Sequence, residues 1–520
     1  MNNNKGRHVG TDRTLQERLD EGAMLIRSGR TSEAQALARV LVEELGDNPE
    51  VRFFASDAES MTGNASAAIA QLDALEGAAA KNPRILMRKA ELFLHLGQRS
   101  QALENVRQAL SMPGVGERLI CAASKVLIDS RQFTEARDVL LAGHEQNPGS
   151  EKISYLLAVA ELQLKHSSEA LKYAHEVLAL QPHNPGALLL RSQLTRCTPE
   201  QNHCDELHAC VTQAEGNAQL LAVANYALRK EYEDLGARAD SFVALVAGAD
   251  AYRELISYDE DLELASHSDI RSTFTKDRLD SLAPGCDASG PVFIVGMPRT
   301  GVSLLESLLS RHKQVVSVGE SGDFKRALRM LAINAAPAEV SDAEACLSVD
   351  FATLGERYLD TVRQSLESSV ENPRIIEVTP HNFLYCGHIF AALPNARIVH
   401  MTRDPLDTCY AVYKTLFFGA YGYSYDLDEL ASYMISYQEH MEHWHKLFPD
   451  RILNVAYEDL VRDTSTQARR ILEYCGLDWQ DDLLNIDEPF HDHSIGAWKH
   501  FAEEFAPARE RLQEAGQLKD

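Results

Sequence analysis

The sequence lacks an excess of positive charge, a long apolar run and an apolar signal core. Lysine and arginine total 51 against 77 aspartates and glutamates, which gives a formal net charge of −26. So acidic a chain is not expected to bind nucleic acid, an anionic membrane or a polyanionic glycan, because like charges repel. A local basic pocket can still bind a small anion. No apolar run approaches the ~20 residues that cross a bilayer, and the N-terminus reads MNNNKGRHVG. We therefore expect no nucleic acid or membrane partner, and a cytoplasmic location.

Cysteines are few and scattered: nine in 520 residues, an odd number, without a CxxC pair. This usage is typical of reduced thiols in the cytosol. The closest grouping consists of two cysteines and two histidines, namely Cys204, Cys210, His203 and His208. A second polar run, HDHS, contains His493. Neither spacing matches a zinc ligand set, so the sequence predicts no metal.

Five short segments recur every 34 residues in the first half of the chain. Each begins with a turn residue and closes with alanine. The turn residues are Gly29, Gly63, Gly97, Arg131 and Lys165, and the alanines are Ala34, Ala68, Ala102, Ala136 and Ala170. Apolar residues at helical spacing flank the turns, and Asn-Pro pairs separate the units. The pattern predicts two-helix units in which the small alanine lets the second helix approach its neighbours.

Repeats of this length and pattern resemble the tetratricopeptide repeat. The resemblance implies an α-solenoid over residues 15–200, preceded by a polar tail at 1–14 and followed by a helical cap and connection at 201–285. Such arrays bind a peptide or a protein on their concave face, and the alternative is a purely structural role or the formation of a homodimer. The segment ending at Pro291, SLAPGCDASGP, is rich in residues that interrupt helices and strands. It predicts a domain boundary there, with a second domain over residues 291–520.

The second domain opens with a predicted strand, loop and helix. Residues 292–295 form an apolar, β-branched run, 296–301 a tight loop, and the leucines of 303–311 repeat at helical spacing. Backbone N–H groups at such a helix start, together with the helix dipole, suit an anion. Arg299 adds a cation that can bind it bidentately. The loop is not a Walker A motif, and a plain turn between strand and helix is the alternative.

Several segments of this domain resemble sulfotransferases, over roughly residues 291–505. The opening FIVGMPRTGVSLLESLLSRHKQVVSVGE resembles that of the bacterial group with tetratricopeptide repeats in front, and is similar to tyrosylprotein sulfotransferases. Further resemblances lie in TPHNFLYCGHIFAALPNARIVHMTRDPLDTCYAVY, NVAYEDLVRDTSTQARRILEYCGLDW and SIGAWKHF. The fold predicted is α/β with a mostly parallel sheet. Its strands are expected near 292–295, 315–318, 374–378, 396–401 and 452–456.

The resemblance implies that 3′-phosphoadenosine 5′-phosphosulfate (PAPS) is the sulfuryl donor and adenosine 3′,5′-bisphosphate the product. The acceptor is then a hydroxyl or amine of a peptide, a protein or a small molecule. Glu320 matches the general base of the relatives, and Arg299 is expected to assist catalysis. His312 and His381 are alternative bases, and a solvated loop residue is the alternative for Glu320. The residues implied at the donor are Arg299, Thr300, Gly301, Val302, Ser303, Arg403, Ala411, Trp498 and Lys499.

Four positions depart from the pattern of these relatives, which have hydroxyl or basic side chains there. The four are Val302, Val378, Ala411 and Ala497. Each change removes a contact to the donor, and one lost donor group typically slows a reaction ~10²–10³-fold. Two alternatives therefore stay open: a catalytically silent binding or scaffold protein, and a different group transfer with a nucleotide that lacks the 3′-phosphate. The aromatic segment 417–430 is expected to form an acceptor-side lid or a packed surface loop.

Overall fold

The computed structural model describes residues 14–214, 216–335, 340–366, 370, 372–484 and 492–518. The chain divides into two compact units, with the division between Tyr173 and Ala174. The predicted tail lies, except for Thr14, outside the described residues. Within the described ranges, no helix is long and apolar enough to cross a membrane.

Helices make up the first unit, which ends inside the last of them. Their bounds are α1 Leu15–Arg27, α2 Thr31–Leu45, α3 Pro49–Ser60, α4 Ala65–Asp73, α5 Gly77–Ala80, α6 Pro83–His95, α7 Arg99–Leu110, α8 Glu117–Asp129, α9 Phe133–Gln146, α10 Glu151–Gln163 and α11 Ser167–Leu180. The turn residues of the 34-residue period all have positive φ angles. The five alanines of that period are fully buried between helices. The predicted α-solenoid is therefore confirmed.

The Asn-Pro pairs explain where several of these helices begin. The Asn48 side chain accepts a hydrogen bond from the Glu50 backbone N–H, and Asn82 accepts one from Arg84. In both helices proline occupies the first turn, where its missing N–H costs nothing. Local sequence thus fixes the helix starts of the repeats.

The second unit begins with further helices that share a core with the sheet behind them. These helices are α12 Pro185–Leu194, α13 Cys204–Gln213, α14 Ala218–Asp234, α15 Arg238–Arg253, α16 Glu260–Thr273 and α17 Lys276–Asp280. The Tyr226 hydroxyl donates to the Tyr413 carbonyl oxygen at 3.1 Å. The ring centres of Phe274 and Trp444 lie 5.3 Å apart. The helical connection is therefore packed against the α/β part of its own unit.

A parallel five-stranded sheet forms the centre of this unit, with strands β1 Val292–Gly296, β2 Val315–Gly319, β3 Arg374–Glu377, β4 Arg397–Thr402 and β5 Ile452–Ala456. The order of the strands in the sheet is β2-β3-β1-β4-β5. The predicted α/β class with a parallel sheet is confirmed. Because every strand runs the same way, all carboxyl ends meet at one edge, where ligands of such sheets bind.

Helices and short 3₁₀ turns connect and cover the strands. The helices are α18 Val302–Leu309, α19 Asp323–Ala335, α20 Asp342–Leu347, α21 Phe351–Ser365, α22 Cys386–Ala392, α23 Pro405–Tyr413, α24 Leu427–Leu447, α25 Tyr457–Arg462, α26 Thr464–Cys475 and α27 Ala506–Glu514. The 3₁₀ turns are Pro380–Tyr385, Gly422–Tyr425, Asp481–Leu484 and Ala497–Phe501. One of these turns lies within the aromatic segment 417–430, where Tyr423 and Tyr425 are buried.

Candidate active site

The loop between β1 and α18 turns sharply through two left-handed residues. Arg299 has a φ of 68° and Gly301 a φ of 97°. A Cβ on Gly301 would lie 2.7 Å from Cδ2 of Tyr457, so the close approach of that ring requires glycine. The helix starts at Val302, one residue before the predicted start. Its first backbone N–H groups have no partner inside the helix and are available to an anion.

A cleft of about 460 Å³ opens over this loop at the carboxyl edge of the sheet. Residues that follow all five strands contribute to its wall. The lining residues are Pro298, Arg299, Gly301, Val302, Ser303, Glu320, Pro380, Arg403, Ala411, Lys414, Phe417, Tyr421, Tyr457 and Ser494. Seven residues predicted from the sequence therefore share one cavity, namely Arg299, Gly301, Val302, Ser303, Glu320, Arg403 and Ala411.

Three predicted residues lie outside this wall. Thr300 is buried, and its hydroxyl donates to the Met297 carbonyl oxygen at 2.7 Å, inside the loop itself. Trp498 is tied by its backbone N–H to Asp407 Oδ1 at 3.2 Å, and Lys499 is exposed. Residues 485–491, which precede Trp498 in the sequence, are outside the described ranges.

Two arginines, Arg299 and Arg403, line the cleft and contribute positive charge to it. The Arg403 guanidinium donates to the Arg299 carbonyl oxygen at 3.0 Å and to the Ser494 carbonyl oxygen at 2.7 Å. Its carbon Cζ lies 4.8 Å from the centre of the Tyr457 ring. Desolvation, followed by repulsion from Arg403, lowers the pKa of Arg299 from its usual value, although the side chain keeps access to solvent. Within the described part of the chain, neither arginine is paired with a carboxylate, so this charge is available to an anion.

Glu320 faces the same cleft from the end of β2. The Glu320 side chain is exposed. Burial of Tyr421 raises the pKa of that residue, and the negative charge of Glu320 raises it further. His381 stacks on Tyr421 with 4.8 Å between ring centres, and burial lowers its pKa to about 4. The Nε2 atom of buried His312 is 2.9 Å from the Asp478 carbonyl oxygen. Neither histidine lines the cleft. Glu320 does line it, and a carboxylate in this position can accept a proton.

Lys414 adds a third cation, and its partner is a residue that no sequence pattern indicated. Its Nζ atom donates to Oε1 of Glu233 at 2.9 Å. Glu233 belongs to α14, and the Arg229 guanidinium of the same helix also binds it. Burial lowers the pKa of Lys414. Because Glu233 is 181 residues away in sequence, only the tertiary fold shows this pairing.

The residue pair at the end of β3 is buried behind the cleft. Glu377 is fully buried, and it accepts hydrogen bonds from the Tyr358 hydroxyl at 2.6 Å and from Asn382 at 3.0 Å. Burial raises the pKa of Glu377. Val378, one of the four positions at which the sequence departs from the expected family pattern, is only 1% exposed. This position therefore contributes packing and no charge.

Comparison with known proteins finds a match to one family model over part of the chain. Residues 291–481 match the model of the sulfotransferase family. An uncharacterised protein of Aquifex aeolicus is 27% identical over 421 residues, which are 75% of this chain and 54% of that protein. The protein-tyrosine sulfotransferase of Drosophila melanogaster is 24% identical over 207 residues, 38% of this chain and 40% of that enzyme. The chain thus spans about half the length of these curated relatives.

Solved structures include helical-repeat proteins similar to this chain. The C-terminal part of a TPR repeat-containing protein from Cytophaga hutchinsonii is 14% identical, with a TM-score of 0.36. The similarity covers 45% of this chain and 95% of that one.

The resemblance to sulfotransferases drawn from the sequence is confirmed by the family match to residues 291–481.

Proposed function

We propose that the cleft binds PAPS and that the domain transfers its sulfuryl group to an acceptor hydroxyl or amine. The observation that carries this proposal is the convergence of Arg299, Lys414 and the start of α18 on the cavity that also receives Glu320. Cations and free N–H groups at one end of the cleft can bind the anionic phosphosulfate. A carboxylate nearby can take the proton of the acceptor group. The family match supports sulfuryl transfer as the general reaction.

The residues divide into binding, positioning and proton-accepting roles. Arg299 and Ser303 bind the phosphosulfate, while Arg403 acts as a positioning residue because it holds the Arg299 backbone. Glu320 takes the proton as the acceptor oxygen or nitrogen attacks sulfur and the bond from sulfur to the bridging phosphate oxygen breaks. Negative charge then develops on the bisphosphate, and Arg299 and Lys414 stabilise it.

The repeats of the first unit have a separate role in this proposal. They bind the peptide or protein that carries the acceptor group, as the stacked helix pairs of such arrays commonly do. A small-molecule acceptor would make this binding unnecessary for transfer. Sulfation of a tyrosine or serine peptide, measured with the full chain, distinguishes the two acceptor classes.

A second candidate, a catalytically silent binding protein, is favoured by one observation on Arg403. Two of its nitrogens already donate to backbone carbonyls, and its Nε, which has no hydrogen-bond partner among the described residues, is buried. Ala411 lines the cleft without a hydroxyl. A 3′-phosphate would therefore find fewer free donors here than the family pattern provides.

Calorimetric titration with adenosine 3′,5′-bisphosphate tests the proposal and separates it from its rivals. We expect micromolar binding that Arg299→Ala weakens at least tenfold, while the exposed Arg462→Ala, the same charge change on α25, leaves it unchanged. Equal binding of adenosine 5′-phosphate would instead favour a different group transfer. Absence of binding for both nucleotides at millimolar concentration would favour the silent protein.

Glu320→Gln tests the proton acceptor separately from donor binding. We expect sulfuryl transfer from PAPS to hydroxyl and amine acceptors to fall by ~10²–10⁴-fold, as for other general bases. Affinity for adenosine 3′,5′-bisphosphate should stay within twofold of the wild-type value. Unchanged transfer in this variant would assign the base to another group.

A further inference from the structure

Three side chains with metal-binding atoms meet on the helical part of the second unit, and none of them lines the cleft. Cys197, His203 and Glu231 each offer one ligand atom, and these atoms all lie within 4.8 Å of one another. Cys197 follows α12, His203 immediately precedes α13, and Glu231 lies on α14. In the described part of the chain, this is the one group of three such residues that meets this distance.

A second thiol lies beside the group. The Cys204 sulfur is 3.9 Å from Oε2 of Glu231, on the carboxylate that already faces Cys197 and His203. Two thiolates, one imidazole and one carboxylate are the ligand types of tetrahedral zinc sites. This set could not be recognised from the sequence, because its members do not form a short ligand motif. Cys197 precedes His203 by 6 positions, and Glu231 follows it by 28.

The carboxylate of Glu231 is contacted by one imidazole, since its Oε1 lies 3.1 Å from Nδ1 of His203. Glu231 is fully buried and accepts hydrogen bonds from the Ser192 hydroxyl at 2.8 Å and the His203 backbone N–H at 2.7 Å. The neighbouring Lys230 is directed elsewhere, to Asp234 at 2.6 Å and to the Thr195 carbonyl oxygen. A buried carboxylate is costly unless a cation compensates it.

A divalent cation at this cluster would compensate the buried carboxylate, and it would bind cysteine sulfur as the thiolate, with release of the thiol proton to solvent.

We propose that Cys197, His203, Cys204 and Glu231 bind one Zn²⁺-like divalent transition-metal ion in a closed, structural site. The Ser192 hydroxyl orients the carboxylate ligand from outside the coordination sphere. The ion joins the connection between α12 and α13 to α14. Helix α14 also carries Glu233, whose partner Lys414 lines the cleft, so the site stabilises the helix that supports this wall.

Cobalt substitution of the untagged, full-length protein tests the site directly. After removal of metal with a chelator, titration with Co²⁺ should produce a thiolate-to-cobalt charge-transfer band that saturates at one equivalent per chain. Zn²⁺ should then abolish the band. Absence of the band in the wild-type protein, or saturation far above one equivalent, would overturn the proposal without any variant.

Variants then identify the ligands. Cys197→Ser, Cys204→Ser and Glu231→Gln should each weaken Co²⁺ binding at least tenfold, and Ser192→Ala should weaken it by ~10–100-fold through the oriented carboxylate. Cys210→Ala is the matched control, because this buried thiol of α13 lies instead beside His183 Nδ1 at 3.1 Å. Loss of the band in Cys210→Ala, or its persistence in Cys197→Ser, would contradict the assignment. Circular dichroism confirms that each variant is folded.

Discussion

Nζ of Lys414 lies 2.9 Å from Oε1 of Glu233, so a residue outside the sulfotransferase-matched region holds a cation of the candidate active site. The pair spans two elements, α14 and the end of α23. Glu233 is also bound by Arg229, which fixes the carboxylate from its own helix. The helical connection therefore contributes to the electrostatics of the cleft as well as to the packing of the unit.

Lys414→Ala should weaken the binding of adenosine 3′,5′-bisphosphate about tenfold, the size of one charge-assisted contact. The reason is the loss of one of three cations that face the cleft. Lys446→Ala is the matched control, since that ammonium is 79% exposed on α24 and the charge change is the same. Calorimetric titration measures both affinities. Equal weakening by the two variants would show a long-range charge effect and no local contact.

The dependence of Lys414 on Glu233 can be measured by a double-mutant cycle. We expect Glu233→Gln to change nucleotide affinity in the wild-type protein, because it removes the anion that positions Lys414. In the Lys414→Ala background the same substitution should have little further effect, so the two changes are not additive. Additive effects would mean that Glu233 acts on the cleft by another route.

Gly301→Ala should abolish nucleotide binding and destabilise the protein by about 1–3 kcal/mol. The added Cβ would collide with the Tyr457 ring at 2.7 Å, and the φ of 97° is unfavourable for alanine. Gly322→Ala is the control, since it also has a positive φ, 62°, but has no atom within 4 Å of the added carbon. We expect this control to lower the melting temperature while nucleotide binding persists. Nucleotide binding by Gly301→Ala would show that the loop tolerates displacement of Tyr457.

Local patterns predicted the fold because each depends on neighbours in sequence. The alanine period of the repeats and the apolar runs of the strands report burial directly, and both appear in the structure at the expected places. The turn between β1 and α18 was predictable for the same reason. Its helix begins at Val302 and not at Ser303, a difference of one residue.

The finer features of the site could not be predicted, because they depend on side-chain direction. Thr300 belongs to the loop motif, yet its hydroxyl donates to Met297 and not into the cleft. Arg403 lines the cleft while it binds two backbone carbonyls. The pairing of Glu233 with Lys414 joins residues far apart in sequence, and no spacing rule relates them.

Ala102→Leu tests the requirement for a small residue at the second helix of each repeat. Ala102 is fully buried on α7, so three extra carbons must displace neighbouring side chains and should cost about 1–3 kcal/mol of stability. Ala70→Leu, at an exposed position on α4, should change the free energy of unfolding by less than about 0.5 kcal/mol. Urea unfolding followed by circular dichroism measures both. Similar stabilities would show that the helices of the array are not closely packed at this alanine.

Buried histidines make the second unit sensitive to acid, and His388 shows the effect most clearly. Both of its ring nitrogens lack a hydrogen-bond partner among the described residues, and the ring packs 4.4 Å from that of Phe274. Burial lowers its pKa from 6.5 to about 3. The unfolded chain therefore binds a proton that the folded chain excludes, and stability is lost as the pH falls from about 6.5 towards 3.

His388→Phe should remove this contribution while preserving an aromatic ring in the core. Between pH 7 and pH 5 one such histidine costs the wild-type protein about 2 kcal/mol, because the unfolded state gains a proton across that interval. The variant should lose correspondingly less stability over the same interval, and it should be at least as stable at pH 7 because two unpaired polar atoms are gone. His500→Asn, at an exposed position, is expected to follow the wild-type curve. Urea unfolding at both pH values measures the difference, and parallel losses in His388→Phe and wild-type protein would mean that this histidine is hydrated or paired in the folded state.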